Sequence, residues 1–389
     1  MRKTKEAVKA LFLSILTLGA MQGFAQDGNN DINTITTGVP FLMISPDARG
    51  GAMGDVGVAT APDANSMFWN PAKYAFIDND MGVSIGYSPW LRELVDDIGL
   101  SNAVFYKKLD DIQTVAASLR YFSLGNIEFT DNNGNSLGEY QPNEFAVDAT
   151  YSRKLSDNLS LAVAGRFIYS NLTLGQNAGG AETRPGTSIA ADIGMYYQNE
   201  VDLGSTDGVF SFGANISNIG AKISYTTDVQ QDFIPTNLRL GPALKMELDG
   251  YNEITFALDV NKLLVPTPPV MDPDNQGEIQ SGMDNDVSVI TGIFQSFYDA
   301  PGGFNEELRE INLAFGTEYW YDETFALRAG YFYEDETKGN RNYVTMGAGL
   351  KYNVFALDFS YLIPTGVQSP LDNTLRFSLY FDFEAFTGM

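Results

Sequence analysis

The chain has 389 residues, with 49 acidic side chains against 24 basic ones, and it contains neither Cys nor His. A formal net charge of −25 disfavours nucleic acid as a partner. Without His and Cys, the usual zinc ligands and the usual bases and nucleophiles of catalysis are missing, so neither an enzyme nor a cofactor is expected, and no disulfide can form.

Residues 1–25 read as a secretory signal. Arg2, Lys3, Lys5 and Lys9 form a basic start, residues 10–20 are an apolar run of eleven, and Gly23 and Ala25 supply small side chains for cleavage after Ala25. The run is too short to span a bilayer. No Cys follows it to carry a lipid anchor, and no later stretch has 18 consecutive apolar residues. Residues 26–39 form a polar, flexible leader. Residues 40–80 are compact, non-repetitive and rich in Gly, Ala and Asp.

From residue 81 to the end the pattern changes to segments of about ten residues with strict alternation, the signature of strands that face lipid on one side and a polar lumen on the other. In 145–152, Phe145, Val147, Ala149 and Tyr151 oppose Ala146, Asp148, Thr150 and Ser152. In 375–383, Leu375, Phe377, Leu379, Phe381 and Phe383 oppose Arg376, Ser378, Tyr380 and Asp382. Fourteen such segments can be counted, an even number as bacterial single-chain barrels require. The 13% aromatic content, with 20 Tyr and 26 Phe, suits a membrane barrel.

The connections alternate in length. Residues 109–113, 154–158, 248–251 and 321–324 are short; 123–143, 171–185, 217–235 and 263–308 are long. Outer-membrane barrels have short periplasmic turns and long external loops. This parity predicts an all-β, 14-stranded antiparallel transmembrane barrel with extracellular long loops. It also predicts that both termini, with the 40–76 region, are periplasmic.

One strand face carries charges of both signs: Arg120, Arg166, Arg239, Arg328 and Arg376, with Asp148, Asp192, Glu253, Asp259, Glu318, Asp358 and Asp382. A charge on the lipid face would cost about 2–4 kcal/mol for Arg at mid-membrane, so these side chains should point inward. They would form either a polar permeation path or an ion-pair network that closes the lumen; the mixed signs favour the network. Asp272, Asp274 and Gly277 faintly resemble a calcium loop, but Gln276 and Met283 stand where ligands are needed, so a solvated turn is expected. Residues 131–135 read as an Asx- and Gly-rich turn. Apolar residues in the long loops are candidate partner contacts: Trp90, Leu91 and Leu94 after the first strand, Phe233 and Ile234, and Leu264 and Val265 opening the longest loop. The alternative is an aromatic belt or loop-on-loop packing.

The pieces Asp47-Ala48-Arg49, Ala52-Met53-Gly54 and Asn70-Pro71-Ala72 resemble the N-terminal hatch of FadL-type outer-membrane barrels, with Asp47, Arg49, Asn70 and Pro71 as its motif residues. That resemblance implies a 14-stranded, FadL-like barrel whose lumen holds residues 40–80 as a plug. Within it, Asp63 would cap a short helix and Pro71 would end it. The ordered runs Pro40-Phe41-Leu42, Ser45-Pro46-Asp47-Ala48-Arg49, Asn70-Pro71-Ala72-Lys73-Tyr74-Ala75-Phe76, Tyr87-Ser88-Pro89-Trp90-Leu91 and Asp97-Ile98-Gly99-Leu100 resemble the PorV family of the type IX secretion system of Bacteroidetes. That family implies an outer-membrane protein that grips the C-terminal domains of secreted cargo leaving a large translocon barrel and passes them to a sortase-like surface protease. Its remaining contacts would be outer-membrane lipid and lipopolysaccharide. The alternative is a FadL-like transporter of hydrophobic small molecules.

Overall fold

The computed structural model describes residues 32–92, 95–130, 134–175, 183–204, 206–226, 231–275, 277–366 and 371–383. The signal, residues 26–31 of the leader, Leu94 and most of the 131–135 turn lie outside them.

Strands are introduced here in chain order. They are β1 (Met81–Pro89), β2 (Gly99–Asp110), β3 (Gln113–Ser123), β4 (Ile127–Thr130), β5 (Ser136–Tyr140), β6 (Asn143–Lys154), β7 (Leu159–Asn171), β8 (Gly186–Asp202) and β9 (Asp207–Gly220). There follow β10 (Asn237–Glu247), β11 (Asn252–Leu263), β12 (Val270–Met271), β13 (Ile279–Ser281), β14 (Ile311–Tyr321), β15 (Phe325–Tyr333), β16 (Tyr343–Tyr352), β17 (Phe355–Pro364) and β18 (Thr374–Asp382). Fourteen of them close a barrel in which each strand pairs with its neighbour in the barrel, and β1 meets β18 with Gly82 opposite Asp382 and Tyr87 opposite Phe377. The other four form two small hairpins, β4–β5 and β12–β13, within long loops. No helix among the described residues is long and apolar enough to cross a membrane; the crossing is made by strands.

The alternation read from sequence is realised inside out. In β6, Glu144, Ala146, Asp148, Thr150 and Ser152 are buried, while Val147, Ala149 and Tyr151 face outward. The exposed apolar residues Ile85, Phe105, Leu119, Phe167, Phe315 and Leu357 are part of the lipid-facing belt. A closed barrel pairs its strand backbones internally, as a bilayer demands.

The start of β1 and the end of β18 lie at the short-turn end, as parity requires. The segment before β1 does not stay there. Gly38 N–H donates to Phe233 O at 2.9 Å, and Asn33 N–H to Thr337 O at 3.1 Å, both in long loops. Val39, Phe41 and Leu42 pack with Leu100, Phe122, Ile168 and Ile234 at the long-loop end of the lumen. Ala72, Ala75 and Phe76 pack with Ala162 and Tyr196 toward the other end. Residues 40–77 therefore run down through the lumen, and placing the whole 40–76 region on the periplasmic side was incorrect. Strand parity fixes where strands begin and end; it says nothing of a segment threaded between them.

Phe315 stands near the middle of β14 on the lipid face, and Tyr321 at its short-turn end. Phe315→Arg should cost about 2–4 kcal/mol and Tyr321→Arg about 0–1 kcal/mol in urea unfolding from liposomes. Equal costs would mean that β14 does not cross the bilayer.

Candidate functional site

The inner segment is built from short turns because Gly, Ala and Pro let the backbone pack closely. Asp47, in an extended conformation, caps the helix Ala48–Ala52 by accepting from Gly50 N–H at 2.8 Å, and its other oxygen accepts from the Trp69 indole at 2.7 Å. The Trp69 ring lies against Gly50, where an added Cβ would come within 2.3 Å of it. On the barrel wall, a Cβ at Gly330 would fall 2.0 Å from the Met53 carbonyl carbon. This wall-to-segment approach is open only to glycine.

Asn70 closes the short helix Ser66–Trp69 and opens the 3₁₀ turn Pro71–Phe76. Its side-chain oxygen accepts from Ala72 N–H at 3.1 Å, and its amide donates to Val58 O at 3.1 Å and to Met195 O of β8 at 2.8 Å. Pro71 occupies the first position of that turn, where its missing N–H costs nothing. The cap of Ser66–Trp69 is Asn65 rather than Asp63. Asp63 lies further out, accepting from Asn65 N–H at 2.9 Å and pairing with Arg49.

Arg49 is the segment's main link to the wall. Its Nε and Nη2 donate to the two oxygens of Glu318 on β14 at 2.9 and 2.8 Å, and its Nη1 to Asp63 at 2.9 Å. Glu318 also accepts from Arg328 Nε on β15 at 2.7 Å, and Arg328 Nη1 reaches Asp358 on β17 at 2.7 Å. A second network joins Arg166 to Asp148, Asp192 and Asn218, with Arg120 3.6 Å from Asp148. Asp259 on β11 accepts from Gly57 and Val58 N–H at 2.9 and 3.0 Å, while Arg239 stacks over Trp69 at 4.6 Å. Arg376 lies 3.5 Å from Asp55. All five arginines expected in the lumen are thus buried there, as are Asp148, Asp192, Asp259, Glu318 and Asp358. Glu253 pairs with Lys245 at 2.8 Å nearer the short turns; the Asp382 side chain lies outside the described residues. Asp55, Lys73 and Asn218 were not singled out in the sequence, and the pairing of Asp63 with Arg49 was not foreseen. Lys73 is buried, donating to Gly57 O at 2.9 Å and Thr60 Oγ1 at 3.1 Å; nothing in a surface-like Pro-Ala-Lys run signals this.

The longest loop is ordered. Lys262 Nζ holds Glu307 and Glu310 at 3.0 and 2.7 Å, and Lys338 Nζ holds Glu306 and Glu310 at 2.5 and 3.0 Å. The Asn33 amide donates to Pro268 O and Glu306 at 3.2 and 3.1 Å. Asp299 accepts from Thr267 N–H at 3.1 Å, and burial pushes its carboxyl up from the ordinary 3.8 to about 6. Asp272 accepts from Asp274 N–H at 2.8 Å in a solvated turn.

The candidate contact residues separate. Ile234, Leu264 and Val265 are each 2% exposed, so the structure removes them from any contact surface: they are apolar because they pack inside. Phe233 is half-buried, with the Lys222 ammonium 4.3 Å from its ring centroid. It is a seat for the helix Val289–Gln295, because a Cβ on Gly292 would meet its ring at 2.9 Å. Trp90 packs against the apolar cluster at the lumen mouth. Leu91 remains half-exposed, with φ +51°.

A closed 14-stranded barrel with an apolar belt and a polar, filled lumen defines an outer-membrane protein of the FadL-like class. The Pseudomonas putida toluene transporter TodX has this fold, with a TM-score of 0.50 at 12% identity over 90% of this chain and 98% of that one. A Pseudomonas aeruginosa FadL homologue (TM-score 0.42, 10% identity, over 90% of this chain and 99% of that one) is also similar. At such identities the likeness concerns the fold alone. No curated protein sequence matches. The profile described as "Type IX secretion system protein PorV" matches residues 26–270, and the chain belongs to that family.

Glu318→Leu should destabilise the barrel by about 3–5 kcal/mol, because it leaves Arg49 and Arg328 buried beside an apolar group. Adding Arg49→Met should recover part of the loss in urea unfolding from liposomes; no recovery would mean that Arg49 and Glu318 are not coupled. For Asp299 the folded loop binds the proton more tightly than the unfolded one, so loop stability falls as pH rises from the ordinary 3.8 to about 6. Limited proteolysis of the loop should therefore be slower at pH 5 than at pH 7, with the difference abolished in Asp299→Asn.

Proposed function

We propose that this outer-membrane component of the type IX secretion system binds the C-terminal signal domain of cargo leaving the translocon and carries it to the surface sortase and attachment complex. Its partners in this reading are the large translocon barrel, the sortase-like surface protease and the cargo domains. The observation that supports it best is the contrast between the two parts of the molecule. The lumen is occupied by the inner segment and its ion pairs, whereas the longest loop is a folded structure pinned by Lys262 and Lys338. A barrel so arranged serves as a membrane-held platform for its outer face. Asp47, Arg49, Asn70 and Pro71 then have an architectural role, fixing the inner segment, and the reading needs no chemistry from the barrel.

The transporter alternative finds less support in the geometry. Lumen cavities lined by Phe68, Arg120 and Asp148, and by Trp69, Arg239 and Tyr343, measure about 10 and 30 Å³. Such volumes suit a water molecule, while a benzene-sized guest needs about 150 Å³.

Deletion of the gene should leave proteins bearing a type IX C-terminal signal unprocessed inside the cell, read by comparing surface and periplasmic proteomes. Normal surface display together with impaired uptake of a hydrophobic compound would reject this reading in favour of transport.

A further inference from the structure

The longest loop turns large apolar side chains to solvent, one of which, Phe297, has the Lys262 ammonium 5.8 Å from its ring centroid. On the helix Val289–Gln295, Gly292 and Gln295 face inward, against Phe233 and Asp299. Ile290 and Phe294, one turn apart, are 61% and 66% exposed, and Phe297 and Tyr298, directly after the helix, are 48% and 63% exposed. The backbone beneath them is fixed: Ser288 caps the helix by accepting from Thr291 N–H at 3.2 Å, and Gln295 donates to Asp284 O at 2.7 Å. An ordered surface of large apolar side chains on a soluble loop marks an interaction site, and aromatic anchors are the residues that dominate binding energy.

The charge of the loop that carries this surface selects the occupant. Residues 264–308 contain eight Asp or Glu and no Lys or Arg. Glu306 and Glu307 are neutralised by Lys338 and Lys262. Asp274, Glu278, Asp284 and Asp286 remain exposed; among the described residues Asp286 alone of the four meets a cation, Lys222 at 3.1 Å. Helices that lie on membranes carry Lys and Arg on their polar face, the opposite of what is found here. A second copy would bring an equally acidic loop on a chain of net charge −25. The leader at 26–31, Gln-Asp-Gly-Asn-Asn-Asp, is polar and acidic and has nothing apolar to offer.

We infer that the face formed by Ile290, Phe294, Phe297 and Tyr298 docks a protein partner whose apolar contact surface is ringed by Lys and Arg. This deepens the proposed function and rests on it for the partner's place in secretion. The exposed acidic side chains of the same loop steer and orient the partner, and the aromatic face holds it.

The test places a photo-crosslinking benzoylphenylalanine at Phe294 in the full chain in cells, with Phe315 on the lipid face as control, and identifies adducts by mass spectrometry. The expected result is an adduct to a protein whose crosslinked surface is rich in Lys and Arg. Its yield should fall by about tenfold or more when Asp274→Asn, Glu278→Gln, Asp284→Asn and Asp286→Asn are combined, as loss of electrostatic steering requires. A heat-modifiable gel shift confirms that the combined variant still folds. Adducts only to lipid or lipopolysaccharide, adducts to a second copy, no adduct above the Phe315 control, or a yield indifferent to the four substitutions would each overturn the inference. Cargo retention in the deletion strain with lipid-only adducts would sink the docking face and leave the secretion role standing. A basic protein adduct with normal cargo display would do the reverse.

Discussion

The Arg49 guanidinium ties the inner segment to the barrel wall through a carboxylate that it shares with an arginine of the wall. Arg49 sits on a helix of five residues that could not hold itself together in water. Glu318, shared between Arg49 and Arg328, fixes that helix against β14 and β15, and Asp358 extends the hold to β17. Buried charges at this depth are tolerable only when each finds a partner, and a network that loses a member is worse than none. The rest of the lumen follows the same rule, with Asp259 meeting two backbone N–H groups and Asp148 shared by two arginines.

Lipid accepts the outward apolar belt, so the polar residues must be gathered inward, and a second piece of chain fills the space they enclose. With the lumen filled, the long loops form the outer rim of the molecule. The loop between β11 and β14 is the largest part of that rim, and ion pairs from Lys262 and Lys338 give it a fixed shape. A shared fold does not decide the role of the lumen: strand number and tilt can be common to proteins whose lumens do different things.

The strands were legible because lipid imposes a period of two on every segment, and each of the fourteen alternating segments corresponds to a barrel strand. The inward charges were legible for the same reason. The path of the inner segment was not, because Gly- and Ala-rich turns carry no period and nothing in Pro40-Phe41-Leu42 distinguishes the two ends of a lumen. Phe233, Ile234, Leu264 and Val265 illustrate a second limit: apolar residues in a loop can pack the loop itself, and composition cannot tell this from exposure. Phe294 and Tyr298 have similar chemistry yet point outward, a difference created by where Gly292 lets the helix settle.

Liposome swelling measures most directly whether the barrel is a platform or a pore. Purified wild-type protein reconstituted into liposomes should give no swelling in glycerol or small sugars beyond that of protein-free vesicles. Swelling at rates typical of an open channel would contradict a lumen closed by the inner segment and its ion pairs.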